Sequence, residues 1–203
     1  GNYTFNDPSI STWDLSSCTD FSLAFDGSRF DHSLYWNVSS GVNFEGMFKF
    51  WYKNRPLYFT PTSSGTNFVE MFYYASSFNQ PVGFLDTESG TNFTQMFSYA
   101  SNFNQDVSHL KVRGSIKAMF KNALRFNQPL TWDVSGVENF ESFLWMATHW
   151  SQDVSWWGVV SSNPCDARFT QNFNYTYRFI GLATTSYGNE ATPQSYNAIK
   201  TLT

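Results

Sequence analysis

The sequence predicts a repeat solenoid of leucine-rich-repeat type, with one short parallel strand and one short helix in each of about seven coils. Two motifs carry this prediction, because each recurs about every 24 residues. Phe-Asn-Gln stands at 78–80, 103–105 and 126–128. Asn-Phe-x-x-Met-Phe stands at 67–72 and 92–97, with weaker copies at 20–25, 43–48, 115–120 and 139–144. A period of about 20 to 29 residues is typical of solenoids whose stacked coils share one core.

The start of each coil predicts the strand. An aromatic residue is followed four positions later by an aliphatic residue, as in Phe78 and Val82. Apolar and polar positions alternate in this segment, which favours a strand. A turn follows, as in Trp132-Asp133-Val134-Ser135, because Asp, Ser and Gly favour turns. We therefore expect Asp133 and its equivalent Asp14 to form turns rather than to act as catalytic acids.

The Asn-Phe-x-x-Met-Phe motif predicts the short helix. Its apolar residues fall at i, i+3 and i+4, and its Asn stands where an N-cap belongs. A small residue closes the segment at Ala75, Ala100, Ala123 and Ala147. The spacing predicts that Phe72, Phe97 and Phe120 are buried and stacked on one another. We expect the recurring Asn residues to form caps and side-chain hydrogen bonds between coils.

Together the motifs resemble the BspA-like leucine-rich repeats of microbial surface proteins. The resemblance covers roughly residues 5–158 and is weakest at Lys53-Asn54-Arg55-Pro56 and at Leu110–Gly114. It implies a secreted or cell-surface protein with a binding or structural role rather than an enzyme, and it does not identify a ligand.

The repeat pattern ends near residue 160, so we predict a solenoid over 1–160 and a different structure over 161–203. A solenoid end exposes apolar surface and unpaired strand edges. Residues 161–203 are therefore predicted to cap the solenoid or to form an arm that reaches a neighbouring molecule. The first residue is Gly, which fits either a mature chain or a fragment.

Composition and motifs argue against several functions. The net charge of -4 disfavours nucleic-acid binding. The sequence contains no run of about 18 apolar residues, so no membrane span is predicted. His32, His109 and His149 lie in different coils, and no phosphate-binding loop, metal-ligand spacing or nucleophile elbow occurs. We expect no catalytic activity, no metal and no cofactor. The low Lys content and many Ser, Thr, Asn and aromatic residues suit an extracellular or cell-surface protein.

Four Asn-x-Ser/Thr sequons are candidate N-glycosylation sites, at Asn2, Asn37, Asn92 and Asn174. Asn37 replaces the turn Asp and should be exposed, whereas Asn92 belongs to the predicted caps and its amide is expected to be engaged. Asn2 and Asn174 flank the regular repeats. Chance alone gives some sequons in a chain of this composition.

The two cysteines are expected to lie far apart. Cys18 is in the first coil and Cys165 follows the last, about six coil steps away, or roughly 29 Å at the spacing of neighbouring strands. A disulfide needs Cα atoms within about 7 Å. A bridge between the last coil of one copy and the first coil of the next would fit this geometry and would propagate head to tail into a filament. Two unpaired thiols, or a tail folded back on its own solenoid, are the alternatives.

An aromatic stripe is the candidate binding site. Phe50, Tyr74 and Tyr99 occupy one position in successive coils, with Trp51 and Tyr73 beside them. Two interpretations of this stripe are open. The rings add to the packing of the core, or they form a flat surface that contacts a glycan or a protein. The leading hypothesis is a structural or adhesive protein that associates with itself head to tail or with a cell-surface partner. The alternative is a module that binds carbohydrate or protein through the stripe.

Overall fold

The computed structural model of the chain describes residues 5–152 and residue 157. In this part of the chain, regular secondary structure is limited to a 3-10 helix at Pro8–Thr12 and two strands, β1 at Gly114–Ser115 and β2 at Val137–Asn139. The strands pair in parallel, with Ser115 opposite Asn139. The cap or arm predicted for 161–203 lies outside the described residues.

Backbone pairing places successive repeats side by side. Isolated parallel bridges join Asp20 to Asn43, Asn43 to Asn67, Asn67 to Asn92 and Asn92 to Ser115, and β1 and β2 continue the series. Hydrogen bonds extend it, as where the Phe68 N–H donates to the Asn92 carbonyl at 2.9 Å. Each repeat thus satisfies part of its backbone through the next repeat along the chain.

The segment predicted as a short helix is instead a run of turns. The N–H groups of Glu70, Phe72 and Tyr74 donate to Thr94, Met96 and Ser98 in the next repeat, at 2.8 to 2.9 Å. The intervening Met71 and Tyr73 N–H groups bind the carbonyls three residues earlier. Glu70 and Tyr74 have φ of 53° and 56°, which no α-helix accommodates. Bonds between repeats have therefore replaced the i to i−4 bonds that a helix requires.

The strand is also displaced from its predicted position. Parallel pairing instead involves the first residue of the Asn-Phe-x-x-Met-Phe segments, namely Asp20, Asn43, Asn67, Asn92, Ser115 and Asn139, where an N-cap was expected. Of the predicted strand segments, the described residues show a bridge only between Leu34 and Leu57. The amide oxygen of the Asn at this first position accepts a backbone N–H, as predicted, but the acceptor closes a turn instead of capping a helix. Asn67 Oδ1 accepts the Val69 N–H at 3.2 Å, which makes a local turn rather than a helix cap.

The Phe-Asn-Gln motif builds a polar ladder along the repeats. Asn79 Oδ1 accepts the Asn104 N–H at 2.9 Å and the Gln105 amide at 3.0 Å. Asn104 Oδ1 makes the same two bonds to Asn127 at 2.8 Å and to Gln128 at 3.0 Å. These contacts confirm the expectation that the Asn series forms side-chain hydrogen bonds between repeats.

One rung of this ladder is charged. Asp31 stands where other repeats have Asn, and Arg55 stands where they have Gln. The Arg55 Nε donates to Asp31 Oδ1 at 2.8 Å, and Lys53 Nζ lies 3.4 Å from the other carboxylate oxygen. The Arg55 hydrogen bond, followed by that of Lys53, lowers the pKa of Asp31. The degraded repeat thus keeps the connection with a different chemistry.

Columns of phenylalanine fill the core, as predicted. Phe72, Phe97 and Phe120 are fully buried. Their rings stack with centroids 5.3 and 5.5 Å apart, each pair within 2° of parallel. A second column runs through Phe44, Phe68 and Phe93, with centroids 5.5 Å apart. The small residues at 75, 100, 123 and 147 are buried beside the columns.

The predicted turns at Asp14 and Asp133 are confirmed. Asp14 accepts the Ser16 N–H at 3.0 Å, and Asp133 accepts the Ser135 N–H at 2.9 Å. Hydrogen bonds from these serines lower the pKa of both carboxyl groups.

Within the described residues, no helix has the length and apolar character needed to cross a membrane.

Candidate binding surface

Four aromatic side chains form one half-buried surface, which we call the aromatic patch: Phe50, Tyr73, Tyr74 and Tyr99. Tyr74 stacks on Tyr99 with ring centroids 4.2 Å apart and planes within 10°. Tyr73 contacts Tyr99 edge to face at 5.9 Å, and Phe50 meets Tyr74 at 5.5 Å. The structure therefore brings together four of the five residues of the predicted stripe.

Trp51 does not belong to this surface, and its place in the predicted stripe is wrong. Its side chain is fully buried, and its indole N–H donates to the Phe30 carbonyl at 2.8 Å. The ring packs against Phe48, with centroids 4.9 Å apart. Trp51 occupies the repeat position of Ala75 and Ala100, which are also fully buried, so its side chain points into the core although Phe50 is partly exposed.

Three residues of the aromatic patch have left-handed backbone conformations. Phe50, Tyr74 and Tyr99 have φ of 53°, 56° and 60°. This region favours glycine, and Gly27 occupies the equivalent position two repeats before Tyr74, with φ of 60°. A bulky side chain in such a conformation costs about 1–3 kcal/mol and persists only where the surroundings impose it. Here the imposing contact is the bond to the next repeat, as where Tyr99 N–H donates to the Lys121 carbonyl at 2.7 Å.

A lysine and its acidic partner lie at one end of the aromatic patch. Lys49 Nζ lies 5.3 Å from the ring centroid of Tyr73 and 5.6 Å from that of Phe50. It also forms an ion pair with Glu70. The hydrogen bond that Lys49 donates to the Glu70 carboxylate raises the pKa of Lys49, so its ammonium stays charged. Burial raises the pKa of Tyr73, which keeps its hydroxyl protonated and able to donate.

A second lysine lies at the other end, without such a partner. Lys121 Nζ lies 5.9 Å from the ring centroid of Tyr99 and 4.5 Å from that of Trp145. No carboxylate of the described residues lies within 4.0 Å of this ammonium. Sequence reasoning missed both Lys121 and Trp145. Their signal was positional, because they occupy the repeat position of Lys49 and Tyr73.

A buried hydroxyl occupies the same repeat position between these residues. Ser98 follows Tyr73 by one repeat and precedes Lys121 by one. Its side chain is fully buried, and its Oγ has no hydrogen-bond partner among the described residues. Buried polar groups are usually hydrogen-bonded, so this one is an exception at the centre of the surface.

The described sequons differ in accessibility. Asn37 is exposed, although its Oδ1 accepts the Ser39 N–H at 3.2 Å and the Thr60 hydroxyl at 3.0 Å. Asn92 is half-buried, and its Oδ1 accepts the Thr94 N–H at 3.2 Å. Asn2 and Asn174 lie outside the described residues. Glycosylation at all four sites stays a prediction.

The structure describes only one of the two cysteines. Cys18 is half-buried and packs against the core, whereas Cys165 lies outside the described residues, so their bridge stays a prediction. No group of three or more His, Cys, Asp or Glu suited to a metal ion occurs in the part of the chain that the structure describes.

Comparison with known proteins places the chain in one family. No significant match was found among curated proteins or among solved structures. A family model matches residues 1–110 and again 111–179. Because these two stretches span most of the chain, the chain belongs to the family described as Mycoplasma protein of unknown function, DUF285.

Proposed function

We propose that this chain is a leucine-rich-repeat-like solenoid of the BspA-like kind that is secreted or displayed at a cell surface. Its role is adhesion rather than catalysis, and the aromatic patch binds carbohydrate. The side-by-side repeats support the solenoid, because residues 22 to 26 positions apart are joined by backbone and side-chain hydrogen bonds. The sequence resemblance supports the extracellular location.

The observation that carries the binding role is the stacking of partly exposed aromatic rings at one position of successive repeats. Tyr74 and Tyr99 stack with ring centroids 4.2 Å apart, and Phe50 lies 5.5 Å from Tyr74. The left-handed φ of these residues belongs to the repeat, since Gly27, Asn122 and Met146 share it at the same position, so it fixes the direction of the rings without marking a binding site. Partly exposed aromatic rings with polar tips suit the mixed apolar and hydroxyl surface of a sugar.

A matched pair of double variants tests this role. Tyr74→Ala with Tyr99→Ala removes the stacked pair of the aromatic patch. Tyr35→Ala with Tyr58→Ala removes a stacked pair elsewhere, with centroids 4.7 Å apart and more than half of each side chain exposed. Binding to a panel of immobilised oligosaccharides should fall only in the first variant. Equal binding by the two variants, or no binding by the wild type, would overturn the proposal.

Head-to-tail self-association is a second candidate, favoured by one tryptophan. Trp36 and Trp132 are buried and donate their indole N–H groups to Ile10 and Val107 in the preceding repeat, at 2.7 and 2.8 Å. Trp13 occupies the same motif position but is 55% exposed, against 5% for Trp36. A repeat supplied by a second copy would give Trp13 the environment that its equivalents have.

Sedimentation measurements test this association. Trp13→Ala should abolish concentration-dependent oligomers, whereas Tyr52→Ala, which removes another exposed ring, should leave them intact. Non-reducing electrophoresis of the native protein then shows whether Cys18 and Cys165 lock the contact. A monomer at all concentrations would exclude this second function without affecting the first.

A further inference from the structure

We infer that the aromatic patch selects sugars that carry a carboxylate, and that the Lys121 ammonium binds that carboxylate. The inference rests on the proposed carbohydrate-binding function and adds the ligand's charge. It depends on the difference between the two lysines that border the aromatic patch.

The two lysines differ in charge compensation. The Lys49 ammonium is paired with Glu70, and Lys117, four residues before Lys121, is paired with Glu141 at 2.8 Å. Lys121 lacks a carboxylate partner in the described part of the chain. Its charge is held only by the ring faces of Tyr99 and Trp145, which attract a cation without neutralising it.

This arrangement prepares the ammonium for an anion. The two rings limit the side-chain freedom that a flexible lysine would otherwise lose on binding. A carboxylate that reaches the remaining N–H groups forms a charge-assisted hydrogen bond, which is stronger than one between neutral groups. The stacked rings of Tyr74 and Tyr99 lie next to it and can hold the sugar ring whose carboxylate Lys121 binds.

Calorimetry with two sugars that differ at the carboxyl group tests the inference. The probes are a galacturonic acid trisaccharide and its methyl ester, which keeps the rings and removes the negative charges. The wild type should bind the acid at least about tenfold more tightly than the ester, as expected for a hydrogen bond to a charged group. Added salt should narrow this difference.

Two lysine-to-methionine variants, which keep a side chain of similar length, show which lysine causes the preference for the acid. Lys121→Met should remove the preference for the acid while leaving binding to the ester, and Lys117→Met should retain the preference. Near-ultraviolet circular dichroism and thermal melting show whether each variant is folded.

The outcomes separate this inference from the proposed function. Equal wild-type affinity for acid and ester, with binding still lost in the Tyr74 and Tyr99 double variant, overturns the role of Lys121 and keeps the carbohydrate site. A preference for the acid that survives Lys121→Met overturns the inference in the same way. Absence of binding to either probe, and to every neutral sugar of the panel, overturns both.

Discussion

The core column and the aromatic patch stack aromatic rings at the same repeat spacing but in different surroundings. Phe72 and Phe97 stack at 5.3 Å, are fully buried and have no left-handed φ. Tyr74 and Tyr99, two residues further along each repeat, stack at 4.2 Å, are partly exposed and have left-handed φ. The repeat imposes stacking on both. Burial makes the first a source of stability, whereas partial exposure leaves the second accessible to a ligand.

Emptying the core column should produce the largest effect. Phe97→Ala removes a fully buried ring that contacts Phe72, Phe103 and Phe120. We expect it to lower the free energy of unfolding by about 3–5 kcal/mol, as for other large core truncations. Urea denaturation measures the change. A loss below about 1 kcal/mol would show that this column is not the stabilising one.

The polar ladder beside the core should have an intermediate effect. Asn104→Ala leaves the Asn127 N–H without its acceptor, whereas the Gln128 amide keeps the Asn104 backbone carbonyl at 3.1 Å. Unsatisfied groups of this kind cost about 1–3 kcal/mol when they are shielded from water. The exposed Asn37 is the control, because water can replace its bonds when it is changed to Ala. Equal losses in the two variants, measured by urea denaturation, would mean that the ladder is effectively solvent-exposed.

The contrast between the core and the surface was only partly readable from the sequence. The burial of Phe72, Phe97 and Phe120 followed from their spacing, because any close packing of 24-residue repeats brings equivalent positions together. The turns did not follow. Apolar residues at i, i+3 and i+4 have the same pattern whether an N–H binds within its own repeat or to the next one. Periodicity reports which side chains face inward, and it does not report backbone hydrogen-bond partners.

The candidate site shows the same limit. Phe50, Tyr74 and Tyr99 were identifiable because one repeat position was aromatic three times in succession. Lys121 occupies the repeat position of Tyr73, but the sequence does not show that its side chain lies between two rings, and its proposed role depends on that geometry. The direction of these three side chains also depends on left-handed backbone angles, which Phe and Tyr rarely adopt and which their presence in a sequence does not predict.

Glycine and alanine substitutions should reverse their order between the two surroundings. At Tyr74, where φ is 56°, Gly should be more stable than Ala by about 1–2 kcal/mol, because left-handed φ penalises any Cβ. At Phe97, Gly should be less stable than Ala by about 0.5–1 kcal/mol, because it loses more backbone entropy on folding. Unfolding free energies of the four single variants measure both differences. The same order at both positions would show that Tyr74 is not strained.

The charged rung should have the smallest effect, and its pH dependence distinguishes it from the neutral rungs. Asp31 and Arg55 are partly exposed, so their ion pair is expected to contribute about 0.2–1 kcal/mol. The pKa of Asp31 is lowered in the folded protein, chiefly by Arg55. Its contribution is therefore present above the ordinary aspartate pKa and is lost as the pH falls through the lowered value.

The double variant Asp31→Asn with Arg55→Gln converts this rung to the Asn–Gln pair of the other repeats and provides the test. Between pH 7 and about pH 3, the wild type should lose stability relative to the double variant, because only the wild type has a carboxylate to protonate here. The remaining carboxyl groups are common to both proteins, so the difference between their unfolding free energies isolates the rung. Arg55→Gln alone keeps the carboxylate but removes its main cation, and should show an intermediate pH dependence because Lys53 remains nearby. Identical pH dependence in all three proteins would mean that the Asp31–Arg55 contact does not stabilise the folded protein, because the two side chains interact equally well with water in the unfolded chain.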